Sequence, residues 1–203
     1  MQDRARTPVP ERLAALAVAT LALAALRAQF DAMGPDAGSA GVRLWAMAGY
    51  FTILTNALVA GHMLLVALHW RISAARAAGL LLSIVMVALV YHTLLARLWQ
   101  PDGLLAWADL GLHTGVPLAY ALWWAVLAPK DVRTGDLKWW LVWPLGYGAY
   151  ALIRGALTGF WPYPFLNADA LGWPRVAVHL VLLAGVFALG GLAIRRVAGR
   201  LAR

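Results

Sequence analysis

Cysteine is absent from all 203 residues, which excludes disulfides, thiolate metal sites and cysteine nucleophiles together. Charge is scarce as well. Only 13% of residues are charged against 63% hydrophobic, and the mean hydropathy is +0.71. A soluble domain of this length has no core large enough to hide so much apolar surface. The chain has no HExxH, no paired-histidine spacing, no GxGxxG and no P-loop, so neither a metal nor another cofactor is expected. No internal repeat or low-complexity linker divides it, and a single all-α membrane domain is the expectation.

What is present is six apolar stretches, each near the roughly 20 residues that a transmembrane helix needs. They predict spans at 12–31, 44–69, 77–99, 104–128, 138–159 and 173–195, bundled in one domain over 12–195. The joints carry chain breakers and charge: Gly34-Pro35-Asp36, Trp70-Arg71, Pro101-Asp102-Gly103, the run Pro129 to Lys138, and Trp161-Pro162-Tyr163-Pro164. Pro144 falls inside the fifth span and is expected to kink it. Gly146 and Gly148 read as packing or kink positions, and Gly155 and Gly159 as sites of close helix contact.

Residues 1–11 read as a cytoplasmic tail before a retained first helix, and 196–203 as a basic cytoplasmic tail. Twelve of the 17 Lys and Arg fall on one side of the predicted spans: Arg4, Arg6 and Arg12, then Arg71 and Arg76, then Lys130, Arg133 and Lys138, and finally Arg195, Arg196, Arg200 and Arg203. Both termini are therefore expected in the cytoplasm of a multi-pass inner-membrane protein. Tryptophans near the span ends, among them Trp45, Trp70, Trp99 and Trp107, read as interfacial anchors. The net charge of +8 is expected to meet an anionic lipid leaflet rather than nucleic acid, for which there is no motif.

Ionisable and hydroxyl groups within spans are costly, and each is a candidate functional residue. Counted along the helices at about 1.5 Å per residue, Thr52 and Asn56, Tyr91 and His92, Asp109 and His113, Arg154, and His179 converge on the outer half of the bilayer. That convergence predicts a polar cavity opening outward. Thr52 and Asn56 are four apart and share a helix face, as do Asp109 and His113. Thr52 and His113 come from different spans at similar depth, and a hydroxyl beside an imidazole is the minimal pair for nucleophilic attack. Asp109 is placed to hold the imidazole's tautomer.

Plainer roles compete. Thr52 can bond back to the Ala48 carbonyl, Asn56 can glue helices, His92 and His179 can be satisfied core groups, and Arg154 can snorkel to the interface.

Three segments carry a resemblance. Tyr50-Phe51-Thr52-Ile53-Leu54-Thr55-Asn56, Leu112-His113-Thr114-Gly115-Val116-Pro117 and Trp161-Pro162-Tyr163-Pro164-Phe165-Leu166 occur in this order. Together they resemble the motifs of predicted six-transmembrane bacterial proteins distantly related to the androgen-induced and androgen-dependent membrane hydrolases of animals. The similarity runs over roughly 12–195. It implies an intramembrane threonine hydrolase of fatty-acid esters, with the threonine at Thr52 and the histidine at His113. Thr55 competes as nucleophile, because the motif can slide around its hydroxyls. The animal segment carries an amide-type residue near where Asp109 stands here, and tends to differ at Asn56.

The expected function is therefore hydrolysis of lipid-like esters, with Thr52 attacking, His113 as base and Asp109 orienting it. Asn56 or Arg154 is expected to donate to the oxyanion, or Arg154 to hold a substrate carboxylate. The alternative is a non-catalytic carrier of a small apolar molecule or of haem, with His92 and His179 as ligands. The oligomeric state is not legible.

Overall fold

A computed structural model describes residues 8–202; Arg4, Arg6 and Arg203, and most of the expected N-terminal tail, lie outside the described residues. The described residues are helical throughout, with no strand. Ten helices follow in chain order: α1 (Val9–Ala32), α2 (Ala40–Met47), α3 (Phe51–Ala67), α4 (Ala74–Val90), α5 (Gly103–Leu110), α6 (Val116–Val126), α7 (Leu137–Trp140), α8 (Val142–Thr158), α9 (Ala168–Leu171) and α10 (Trp173–Leu201). A wider π turn over Tyr91–Leu95 extends α4, and another over Gly111–Gly115 joins α5 to α6.

Three helical runs are each long and apolar enough to cross a bilayer: Val9–Ala32, Ala74–Leu98 and Trp173–Leu201. A fourth is available if the pair α2 and α3 counts as one broken span, bent by 98°. The outward faces fit a hydrocarbon solvent, since Leu157, Val181 and Leu122 stand largely exposed.

The expected second span of 44–69 is thus not one helix. The chain leaves helical geometry over Ala48–Tyr50 and restarts at Phe51. Gly49, inside the break, is a point of close approach: an added Cβ would collide with the Phe160 ring and lie 2.9 Å from the Arg154 guanidinium. The fifth span is also interrupted, at Leu141. Pro144 therefore sits in the first turn of α8, where a missing N–H costs little, rather than at a kink in mid-helix. The helix α10 continues past the expected end of the sixth span, through residues 196–201, to Leu201.

Small residues set the closest approaches. One face of α1 buries Ala15, Ala19, Ala22 and Ala25, and a Cβ on Gly111 would stand only 2.8 Å from the Ala25 Cβ. The π turn that carries Gly111 can lie against α1 only because that Cβ is missing. Gly155 gives way to the Trp161 ring in the same manner. Gly159 makes no such contact; at φ 70° it terminates α8 in the left-handed region. A Cβ added to Gly146 would meet nothing within 4 Å.

Gly111→Leu should therefore wedge α1 from the π turn and cost about 1–3 kcal/mol, read as a lowered unfolding midpoint in detergent. Gly146→Leu should leave that midpoint in place, and equal midpoints for the two variants would refute the packing account.

Candidate active site

The break before α3 creates the site. In a helix interrupted within an apolar bundle, the freed backbone groups need new partners. Here three tyrosines supply them. Tyr150 donates to the Ala48 carbonyl at 3.1 Å and Tyr147 to the Gly49 carbonyl at 2.8 Å. The Phe51 N–H donates to the Tyr163 hydroxyl oxygen at 3.0 Å. Thr52 consequently lies in the first turn of α3, not a third of the way down a continuous span. Its hydroxyl does not bond back to Ala48.

Instead Thr52 Oγ1 lies 3.3 Å from His113 Nε2, so the two residues from separate segments are brought together. On the other side of the imidazole, His113 Nδ1 is 3.1 Å from the Asp109 carbonyl and 3.1 Å from its carboxylate Oδ1. Both are acceptors, so the proton belongs on Nδ1 and the Nε2 lone pair faces the threonine hydroxyl. Asp109 is itself held: the Tyr91 hydroxyl donates to Oδ2 at 2.5 Å. The Tyr91 ring lies flat on the imidazole, centroids 3.8 Å apart and planes 13° from parallel. Tyr91 and His113 each sit in a π turn, a local widening that re-aims side chains out of helical register.

Asn56 ties the arrangement together rather than facing it. Its amide nitrogen donates to the Thr52 carbonyl at 2.8 Å and to the Leu112 carbonyl at 3.2 Å, joining α3 to the second π turn. Both N–H groups are spent, which leaves none for an oxyanion. Arg154 is also elsewhere. It is buried with its guanidinium between the Trp45 and Phe160 rings, 4.2 and 4.5 Å from their centroids, and donates to the Tyr150 hydroxyl. It supports the wall behind the helix break and neither lines the cavity at Thr52 nor snorkels. Thr55 is fully buried and accepts from the Trp143 indole N–H at 3.1 Å, on the α8 side of α3.

The two histidines suggested for haem are separately engaged. His92 is exposed with Nε2 3.0 Å from Thr114 Oγ1, and His179 Nδ1 is 2.8 Å from the Phe165 carbonyl. No cluster of three or more metal-binding side chains forms among the described residues.

The cavity that Thr52 faces is not the polar one expected. Thr52 faces a cavity of about 350 Å³ between α3, α4, α8 and α10 whose walls are almost wholly hydrocarbon. Its only hydroxyl-bearing lining residues are Thr52, Tyr91, Tyr147 and Tyr163. Of the polar groups counted by depth, Thr52, His113, Asp109 and Tyr91 join one another at the edge of this cavity, while His92, His179 and Arg154 are engaged separately. Burial pushes the Tyr163 phenol up, while the adjoining Thr52 and Phe51 donors pull it partly back. The phenol therefore stays protonated, next to the Thr52 hydroxyl.

Sequence reasoning missed the tyrosines. Tyr147, Tyr150 and Arg154 recur at the spacing of a single helix face, which marked a polar stripe on α8. Nothing local said that its targets were two freed carbonyls. The chain matches no known protein family, no characterised protein and no solved structure.

Replacing Asn56 by Leu leaves the buried Leu112 carbonyl without its cross-helix donor. The expected cost is about 1–3 kcal/mol, measured by thermal unfolding in detergent. An unchanged midpoint would show that the tie between α3 and the π turn is not structural.

Proposed function

We propose that this chain is an intramembrane hydrolase of lipid-like esters, with Thr52 as nucleophile and His113 as general base. One observation carries the reading. A threonine hydroxyl on the wall of a hydrocarbon cavity faces a bare imidazole nitrogen whose opposite edge is fixed by a carboxylate. The resemblance of three ordered segments to membrane threonine hydrolases supports the same pair.

In the proposed reaction Thr52 Oγ attacks the ester carbonyl as His113 Nε2 takes its proton. The tetrahedral intermediate collapses, and the imidazolium returns that proton to the departing alcohol. Water then attacks the acyl-threonine, His113 again accepts a proton, and the fatty acid leaves as Thr52 is regenerated. Asp109 steadies the imidazolium, and Tyr91 holds Asp109. The oxyanion falls to the Tyr163 hydroxyl and to the positive N-terminal end of α3, whose first turn contains Thr52. An apolar surround suits both needs: it accepts an acyl chain directly from lipid, and it strengthens the dipoles aimed at the oxyanion.

The proposed setting is a six-span inner-membrane bundle with both termini cytoplasmic. The Lys and Arg asymmetry supports this orientation. The run α5–π turn–α6 (103–126) and α8, with 17 residues, would complete the six as membrane segments alongside the longer helices.

Thr52→Ala and His113→Ala should each abolish labelling by a fluorophosphonate probe, with Thr52→Ala keeping the wild-type unfolding midpoint, and Thr55→Ala should label normally. Asp109→Asn should slow labelling on the order of 10²-fold or more. Labelling that survives in Thr52→Ala and disappears in Thr55→Ala would transfer the role to Thr55. Labelling that survives in all of them would end the hydrolase reading.

Topology has its own test, because the chain contains no cysteine. Asp131→Cys, between α6 and α7, should react with an impermeant maleimide only from the cytoplasmic side. Asp36→Cys, between α1 and α2, should react only from outside. The reverse pattern would invert the bundle.

A further inference from the structure

The cavity beside Thr52 is long rather than round. Along α4 and its π turn the lining residues run from Met86 to Leu95, and beside α8 from Leu141 to Leu152. At about 1.5 Å per residue those stretches measure roughly 13–16 Å.

Contacts across the bundle fix where the reactive hydroxyl falls along this length. Trp143 of α8 is level with Thr55, and Tyr147 is level with Gly49 and Phe51. Thr52 therefore lies part-way along the cavity. One limb runs past Phe187, Met86 and Pro144, and the other past Leu152, Phe165 and Leu95.

We propose that this cavity selects substrate by aliphatic size, with the ester carbonyl at Thr52 and the acyl and alcohol chains in opposite limbs. The proposal rests on the hydrolase reading and adds the substrate's dimensions to it. A methylene takes about the room of a water molecule in the liquid, roughly 30 Å³. The cavity of about 350 Å³ thus holds about a dozen chain carbons in all, counted over both limbs. The chemical class is a medium-length aliphatic ester with no charged group near the carbonyl, because the walls offer no cation or carboxylate to meet one.

Two small residues keep the cavity open. A Cβ on Gly148 of α8 would meet only Leu180 Cδ2, at 4.0 Å, so a larger side chain there grows into free space. Ala184 faces the same space from α10. These two are specificity-determining positions. Filling either should shorten the preferred chain, since each excluded methylene forfeits about 0.8 kcal/mol of transfer free energy.

The test uses alkyl fluorophosphonates from ethyl to hexadecyl on the full chain in detergent, with the labelled residue identified by peptide mapping. The expected result is labelling at Thr52 whose rate rises to a maximum near hexyl, about what one limb holds, and falls by hexadecyl. In Gly148→Leu and in Ala184→Leu, on different helices, the hexyl-to-ethyl rate ratio should drop on the order of tenfold or more. Thr52 labelling that climbs steadily through hexadecyl, as partition into apolar surroundings alone would give, overturns the size limit while leaving the hydrolase reading standing. A ratio unchanged in both variants overturns the role of Gly148 and Ala184. Absence of label on Thr52 with every chain overturns the hydrolase reading itself.

Discussion

The structure turns on a helix that stops and restarts in an apolar interior. Between Met47 and Phe51 the backbone gives up its ladder, and surroundings without water make free carbonyls expensive. Tyr147, Tyr150 and Tyr163 meet that cost from α8 and from the turn beyond it. Each contributes an aromatic body that belongs in hydrocarbon and one hydroxyl that does not, which suits them to a dry backbone break. Arg154, buried between Trp45 and Phe160, braces the same wall.

Once the break is stable, the position of Thr52 follows. A residue in mid-helix has its backbone N–H bonded and tends to turn its hydroxyl onto the preceding turn. A residue at a helix start has neither constraint, and Thr52 is free to face His113. The π turns in α4 and between α5 and α6 make the matching adjustment from the other side. They bring Tyr91 flat against the imidazole and Asp109 onto its far nitrogen. Gly111 lets the second of these turns press against α1, and Asn56 pins it to α3. Three chain segments thus meet at one imidazole, and each is placed by a specific local departure from ideal helix geometry. Such departures are where function tends to be located in otherwise regular proteins.

The chemistry proposed for the pair agrees with its surroundings. A cavity walled by aliphatic side chains rejects charged substrates and welcomes acyl chains, and the polar machinery reaches it through little more than a threonine and three phenols. Behind that wall Tyr91, Asp109 and His113 bond one another, and the Asn56 amide nitrogen bonds backbone carbonyls of two segments.

Composition and hydropathy alone pointed to an all-α chain with helices apolar enough to cross a bilayer, since no water-soluble core accommodates so much apolar surface. Residue spacing put Asp109 and His113 on one helix face, and ordered motifs singled out Thr52. Those inferences depend on local periodicity, which is a property of the chain itself. Other features came from contacts far apart in sequence. At the break before α3, Gly49 lies close under Phe160 and Arg154, and tyrosines about a hundred positions away bond the freed carbonyls. The apolar cavity likewise belongs to no single segment. Depth counting assumed straight, continuous helices and so predicted a polar vestibule. Tertiary packing bent one helix by 98° and widened two turns, which folded the polar groups together and left hydrocarbon facing Thr52.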